Sequence, residues 1–165
     1  MRLYLVQHGQ AMNKAVNPDR PLSREGEAEV NRIASILSRI GTAPGRIVHS
    51  GKTRARQTAE LFDEALGAKT GPTEISGIAP LDSVIDFAVR VSEMAEDTMV
   101  CGHQPFVGRL VSRLLAGDED IPLVEFSPGS VACLERGADG IWVLCWLIRP
   151  ELCPPTTDRT KGQRP

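Results

Sequence analysis

The stretch Leu3-Tyr4-Leu5-Val6-Gln7-His8-Gly9-Gln10-Ala11 decides how the chain folds. Four consecutive apolar residues without alternation suit a strand covered on both faces, as in a parallel sheet flanked by helices. His8 then stands just past the strand's carboxyl end, the edge of an open α/β sheet where ligands bind. Gly9 carries no Cβ, which would let a ligand approach the backbone there.

The same construction returns twice. Arg46-Ile47-Val48-His49-Ser50 is a short apolar strand ending in polar residues, and Gly51 opens a helix with Ala55, Thr58, Ala59, Phe62 and Leu66 on its apolar face, stopped by Gly67. Thr98-Met99-Val100-Cys101-Gly102-His103-Gln104-Pro105 is the third, with Pro105 suited to the first position of a helix that buries Val107, Leu110, Val111 and Leu114. Three strand-to-helix junctions therefore bring His8, Ser50 with Arg54, and His103 to one edge of one sheet.

Between these junctions the signals are those of helices and loops. Ser23 reads as an N-cap with Glu25 and Glu27 in the first turn, followed by Val30, Ile33, Ile36, Leu37 and Ile40 at helical spacing up to Gly41. Thr70 to Pro80 reads as a loop with one short extended piece. Asp82 is a candidate cap for a helix with Val84, Ala88, Val91 and Ala95 on one face. Ser130 to Glu135 and Ile141 to Ile148 form a hairpin across a Gly-containing turn, which makes the sheet mixed. The expected architecture is a three-layer α/β/α sandwich, mostly parallel with an antiparallel C-terminal hairpin. It is expected to occupy residues 1–150, with residues 151–165, rich in proline, as a flexible tail.

Composition narrows the function. With 19 Lys+Arg against 21 Asp+Glu the formal charge is −2, so no global basic field points to nucleic acid or to an anionic membrane. No apolar run approaches the roughly 20 residues of a membrane-spanning helix, and the first strand begins at once, which makes a cytoplasmic location the expectation. The four cysteines, Cys101, Cys133, Cys145 and Cys153, lack metal-ligand spacing and read as buried free thiols. Nothing calls for a metal or an organic cofactor.

Two histidines and an arginine at a helix start suit phosphoryl transfer. A neutral imidazole attacks phosphorus well, and the enzyme's remaining task is positioning and charge on the equatorial oxygens. Arginine holds two phosphate oxygens in one planar fork, helix N-termini add donors, and a second histidine can donate to the phosphoryl group.

These motifs resemble the histidine phosphatase superfamily, the phosphoglycerate mutase-like group, and within it the small SixA-type phosphohistidine phosphatases. The matching segments are Gln7-His8-Gly9 for the family's Arg-His-Gly, then Arg20-Pro21-Leu22-Ser23-Arg24-Glu25-Gly26. They continue with Ser50, Arg54, Ala55, Gln57, Thr58 and Ala59 in one motif and Gly102-His103-Gln104-Pro105 in another. The resemblance implies His8 as the phosphorylated nucleophile, Arg54 as a phosphate clamp and His103 as the second pocket histidine. Gln7, Gly9 and Arg20 complete the implied phosphate-binding set, and Asn13 stands where mutase-like members have a pocket asparagine. Ser50 is expected to shape the turn, Lys52 and Arg56 to be solvated, and His49 to be packed or at the surface.

One position departs from the pattern. Gln7 replaces the family arginine, and losing a charged donor of that kind costs on the order of 3 kcal/mol in the transition state. Arg20, Lys52 or Arg56 could supply the missing charge. Candidate general acids, Glu74 and Asp82, lack the usual surrounding pattern, which favours a substrate with a good leaving group. The expectation is a phosphatase that removes phosphate from the phosphohistidine of a protein partner, through an intermediate on His8, with inorganic phosphate as product. The alternatives are a small-molecule phosphomonoesterase and a non-catalytic phosphate-binding module.

Overall fold

In the computed structural model, residues 1–153 are described. In chain order the elements are β1 (Arg2–Gln7), α1 (Arg24–Arg39), β2 (Arg46–His49), α2 (Thr53–Leu66) and β3 (Pro72–Glu74). They continue as α3 (Val84–Ser92), β4 (Thr98–Gly102), α4 (Phe106–Ala116), β5 (Val131–Arg136) and β6 (Trp142–Ile148). The six strands form one sheet in the order β3-β2-β4-β1-β5-β6. The first four of these pair in parallel, while β1–β5 and β5–β6 are antiparallel. This is the mixed α/β sandwich expected from the sequence.

The unalternating run in β1 has a direct cause. Leu3 and Leu5 pack with Phe87, Val91, Phe106, Val107 and Leu110 of α3 and α4. Tyr4 and Val6 pack on the opposite face with Val30, Ile33 and Leu37 of α1 and Phe62 of α2. A strand with helices on both faces has no solvent side to make polar. β4, its parallel neighbour, is buried throughout for the same reason.

The helix ends follow local chemistry. Ser23 caps α1 by accepting from Gly26 N at 3.0 Å, with Glu25 and Glu27 in the first turn, and Gly67 in a left-handed conformation closes α2. Three expectations need correction. Ser83, not Asp82, caps α3, because Asp82 Oδ2 is already taken by Ala79 N at 2.7 Å. Pro105 is the N-cap of α4 rather than its first helical residue, and Ala95 lies beyond α3. The short extended piece in the loop is β3, an edge strand beside β2.

Only two of the four cysteines are buried. Cys101 and Cys133 sit in the core, whereas Cys145 is exposed and Cys153 half-exposed, since β6 is an edge strand with one open face. Past residue 150 the chain stays attached: Pro150–Leu152 form a single 3-10 turn, and Arg32 Nε donates to Cys153 O at 3.0 Å. The expected tail, from residue 154 onward, lies outside the described residues. No helix among the described residues is long and apolar enough to cross a membrane.

Gly26 shows how tightly the first loop is held. A Cβ there would stand 2.2 Å from Gln10 O and 2.7 Å from Gln10 N, which are backbone atoms with no room to yield. Gly26→Ala is expected to lower stability by about 2 kcal/mol or more, read as a shift in the urea midpoint. Because Gln10 follows the His8-Gly9 turn, the same change should also reduce activity.

Candidate active site

β1 ends by delivering His8 to the carboxyl edge, where His8 N donates to Gly102 O of β4 at 3.1 Å. The imidazole Nδ1 lies 2.7 Å from Gly9 O. A carbonyl oxygen only accepts, so Nδ1 carries the proton and Nε2 keeps its lone pair. Arg54 Nε donates to that Nε2 at 3.0 Å. Burial pushes the His8 pKa down to about 4; the Gly9 hydrogen bond opposes this, and the charges of Arg54 and Arg20 add to it. The result is a neutral imidazole with a fixed tautomer and a nucleophilic nitrogen beside a guanidinium.

Two contacts lock α2 to the loop after β1, and one more within the helix braces them. Thr58 Oγ1 accepts from Gly9 N at 3.0 Å and donates to Arg54 O at 2.7 Å, and Gln57 Oε1 accepts from Leu22 N at 2.8 Å. Arg54 on the first turn of α2 is thereby held against His8. The sequence marks Thr58 as a core position and a member of the Ser50–Ala59 motif without giving it a role, yet its place one turn after Arg54 on the same helix face was the available signal.

His103 follows β4 directly and is 1 % exposed. Its ring meets that of His8 edge to face with centroids 5.0 Å apart. Ser50 Oγ, from the end of β2, lies 2.5 Å from His103 Nε2. Burial pushes the His103 pKa down to about 3, with the charges of His8, Arg54, Lys52 and Arg20 acting in the same direction.

Both histidines therefore resist protonation in the folded chain. As pH falls from 6.5, their ordinary value, towards 4 for His8 and 3 for His103, the unfolded chain binds protons that the folded one refuses. Folding stability is expected to fall over that window, by on the order of 1–2 kcal/mol per histidine between pH 7 and 5. Urea unfolding at the two pH values measures it, and His103→Asn should remove part of the slope.

The remaining expected residues divide. Arg20 adopts a left-handed backbone, φ 50°, and its Nε contacts Met12 O at 3.4 Å. Its charge adds to the downward shift of the His8, Arg54 and His103 pKa values. Gln7 is half-buried, and its Oε1 is a buried acceptor without a donor. Lys52 is the N-cap residue of α2, exposed, with its charge acting on His103. Arg56 turns away to Glu60 Oε1 at 2.8 Å and supplies no charge here.

Gly9 needs correction as a phosphate ligand. Its amide is occupied by Thr58, and its missing Cβ faces Val30 Cγ2 at 2.7 Å and Gly26 O at 3.1 Å, so the glycine admits α1 rather than a ligand. Asn13 is exposed and accepts from Ala15 N in its own turn at 2.9 Å. His49 is a packed histidine, its Nδ1 accepting from Gly51 N at 3.1 Å.

Neither candidate acid hydrogen-bonds His8 or His103 among the described residues. Glu74, at the end of β3, packs its carboxylate over Gly51 and acts electrostatically on His49. Asp82 is held in its own turn. The charges that perturb His8 and His103 are all cationic. No group of three metal-ligating side chains occurs among the described residues.

The model of the histidine phosphatase superfamily (branch 1) matches residues 3–76, from β1 through His8, Arg20 and Arg54 to the end of β3. An uncharacterized protein of Picosynechococcus sp. is 34% identical over 125 residues, covering 71% of this chain and 74% of that one. The chain belongs to the histidine phosphatase superfamily. It is thus a phosphatase of that superfamily, with the histidine, arginine and second histidine described above at its sheet edge. Beyond the matched segment, the phosphohistidine phosphatase SixA of Escherichia coli is 25% identical over 155 residues, covering 91% of this chain and 94% of that protein. Among solved structures, the protein histidine phosphatase SixA complexed with tungstate superposes with a TM-score of 0.82 at 24% identity. That superposition covers 92% of this chain and 99% of the other, so the fold is shared through α4 and the hairpin.

Proposed function

We propose that this phosphatase removes phosphate from phosphohistidine on a protein partner, through a phosphoryl intermediate on His8 Nε2. The observation that carries the substrate class is the charge around the two histidines. Arg54 Nε donates to His8 Nε2 at 3.0 Å, Arg20 and Lys52 add positive charge, and no carboxylate among the described residues hydrogen-bonds either ring. Such a site stabilises a phosphoryl group but has no acid poised to protonate an alkoxide. A phosphoramidate needs less of that help, because its leaving imidazole is a far better leaving group than a sugar alkoxide.

The loops at the carboxyl edge favour the same substrate. Segments 50–52, 75–83 and 103–105 contain no helix that could close over a small molecule. An open rim suits a side chain presented by a folded partner, and the similarity to SixA of Escherichia coli along most of both chains supports it. The test compares kcat/KM for a phosphohistidine protein with a panel of sugar phosphates. Preference for the protein by tenfold or more is expected, and equal turnover would refute the assignment.

One observation favours a small-molecule phosphomonoesterase instead. The Glu74 carboxylate stands over Gly51, one residue from the serine that touches His103. If it served as the acid, Glu74→Gln would depress ester hydrolysis selectively. On the phosphohistidine reading, Glu74→Gln is expected to leave phosphohistidine turnover within about threefold of wild type, on the scale of an exposed charge.

A further inference from the structure

Ser50 reads as a turn residue in the sequence, yet its Oγ approaches His103 Nε2 to 2.5 Å. A hydroxyl can donate or accept there, and the two cases leave the single proton of the neutral ring on opposite nitrogens. If Ser50 donated, Nδ1 would carry the proton. Nδ1 is buried and faces no acceptor, and a buried N–H left alone is rarer than an unsatisfied acceptor. If Nε2–H donates instead, Nδ1 keeps only a lone pair. The Ser50 proton is then unused, since Oγ has no other hydrogen-bond partner among the described residues.

Position makes that proton useful. Ser50 lies four residues before Arg54, whose Nε contacts His8 Nε2, and the two imidazole rings are 5.0 Å apart. The serine hydroxyl and the guanidinium therefore each contact one of two imidazoles that face each other. We propose that Ser50 belongs to the phosphate site. It accepts from His103 Nε2–H in the free protein and donates its own hydroxyl proton to an oxygen of the bound phosphoryl group, beside the histidine. The contact involves no net proton transfer.

This inference rests on the phosphoryl group sitting between His8 and His103, but not on which compound delivers it. The test is side-chain 15N NMR of the chain's three histidines at pH 7, followed by titration with inorganic phosphate. The expected result is the Nε2–H tautomer at His103 in the free protein. Ser50→Ala should weaken phosphate binding by about tenfold or more, as for one hydrogen bond to a charged group, and Ser50→Thr, which keeps the hydroxyl, should restore most of it. An Nδ1–H tautomer in the wild-type chain overturns the proposal, as does a Ser50→Ala protein that binds phosphate at wild-type strength. Neither measurement uses phosphohistidine turnover. A failure to hydrolyse phosphohistidine proteins would therefore overturn the substrate assignment while Ser50 is still decided by the NMR result.

Discussion

His8→Ala is expected to lower phosphatase kcat by at least about 10⁴-fold, the scale on which loss of a covalent nucleophile acts in hydrolases, and to abolish an acid-labile phosphoryl adduct. Nδ1–H is fixed on Gly9 O, so the lone pair of Nε2 is the only one the ring can offer, and depression of the pKa to about 4 keeps it unprotonated at neutral pH. In the free protein that lone pair accepts from Arg54 Nε. An incoming phosphoryl group offers the guanidinium better acceptors, its own oxygens, and Arg54 can pass to them. In the proposed reaction the Nε2–P bond forms as the bond from phosphorus to the leaving nitrogen breaks, and the departing imidazole takes its proton from water. Water attacks the phosphorus in the second step, releasing inorganic phosphate and returning His8. Quenched-flow mass spectrometry with a phosphohistidine-bearing donor reads the adduct, and unfolding curves confirm that the alanine variant is folded. An adduct that persists in His8→Ala, or turnover indifferent to the change, would remove His8 from the reaction.

The sheet and its helices were legible because their causes are local. An unalternating apolar run states that both faces of β1 are covered, and Ser23, Gly67 and Gly117 mark helix ends by chemistry that needs no neighbours. His8, Arg54 and His103 were placed at one edge because each follows or begins an element whose direction the parallel topology fixes. What escaped the sequence depends on contacts between distant segments. Nothing near Gly9 indicates that α1 presses on it, with Val30 Cγ2 where a Cβ would stand, so the residue reads equally well as a ligand cradle. Thr58 looks like any core threonine until Gly9 N is seen against it, and Ser50 like any turn serine until His103 is. Asp82 and Ser83 are both capping residues by type, and only the Ala79 amide, which engages Asp82, decides between them. Cys145 is apolar in context but sits on an edge strand, whose outer face no sequence pattern of this length separates from its inner one.

The second large effect belongs to Gln7. Gln7→Arg is expected to raise kcat by about a hundredfold, the worth of one well-placed charged donor to developing phosphoryl charge. Gln7 follows Leu3 and Leu5 on the same side of β1, and its Oε1 is buried without a donor. An acceptor in that position does nothing for a phosphoryl oxygen, and Gln7 offers only its uncharged NH2 as a donor, so on the proposed function the charge falls to Arg54 and Arg20, with Lys52 at the rim. A new guanidinium would supply the missing donor pair. It would also press the His8 and His103 pKa values lower, but both are neutral at pH 7 already, so the nucleophile loses nothing. The cost falls on the free protein instead, where another cation joins Arg54 and Arg20 with no anion between them. Gln7→Arg should therefore melt at a lower temperature than wild type when free and regain that difference when tungstate or phosphate is bound. A rise in kcat together with this ligand-dependent stability identifies the glutamine as a weakened phosphate contact. A fall in kcat with the fold intact would mean instead that the pocket is organised around the amide, with its carbonyl accepting a proton from the ligand itself.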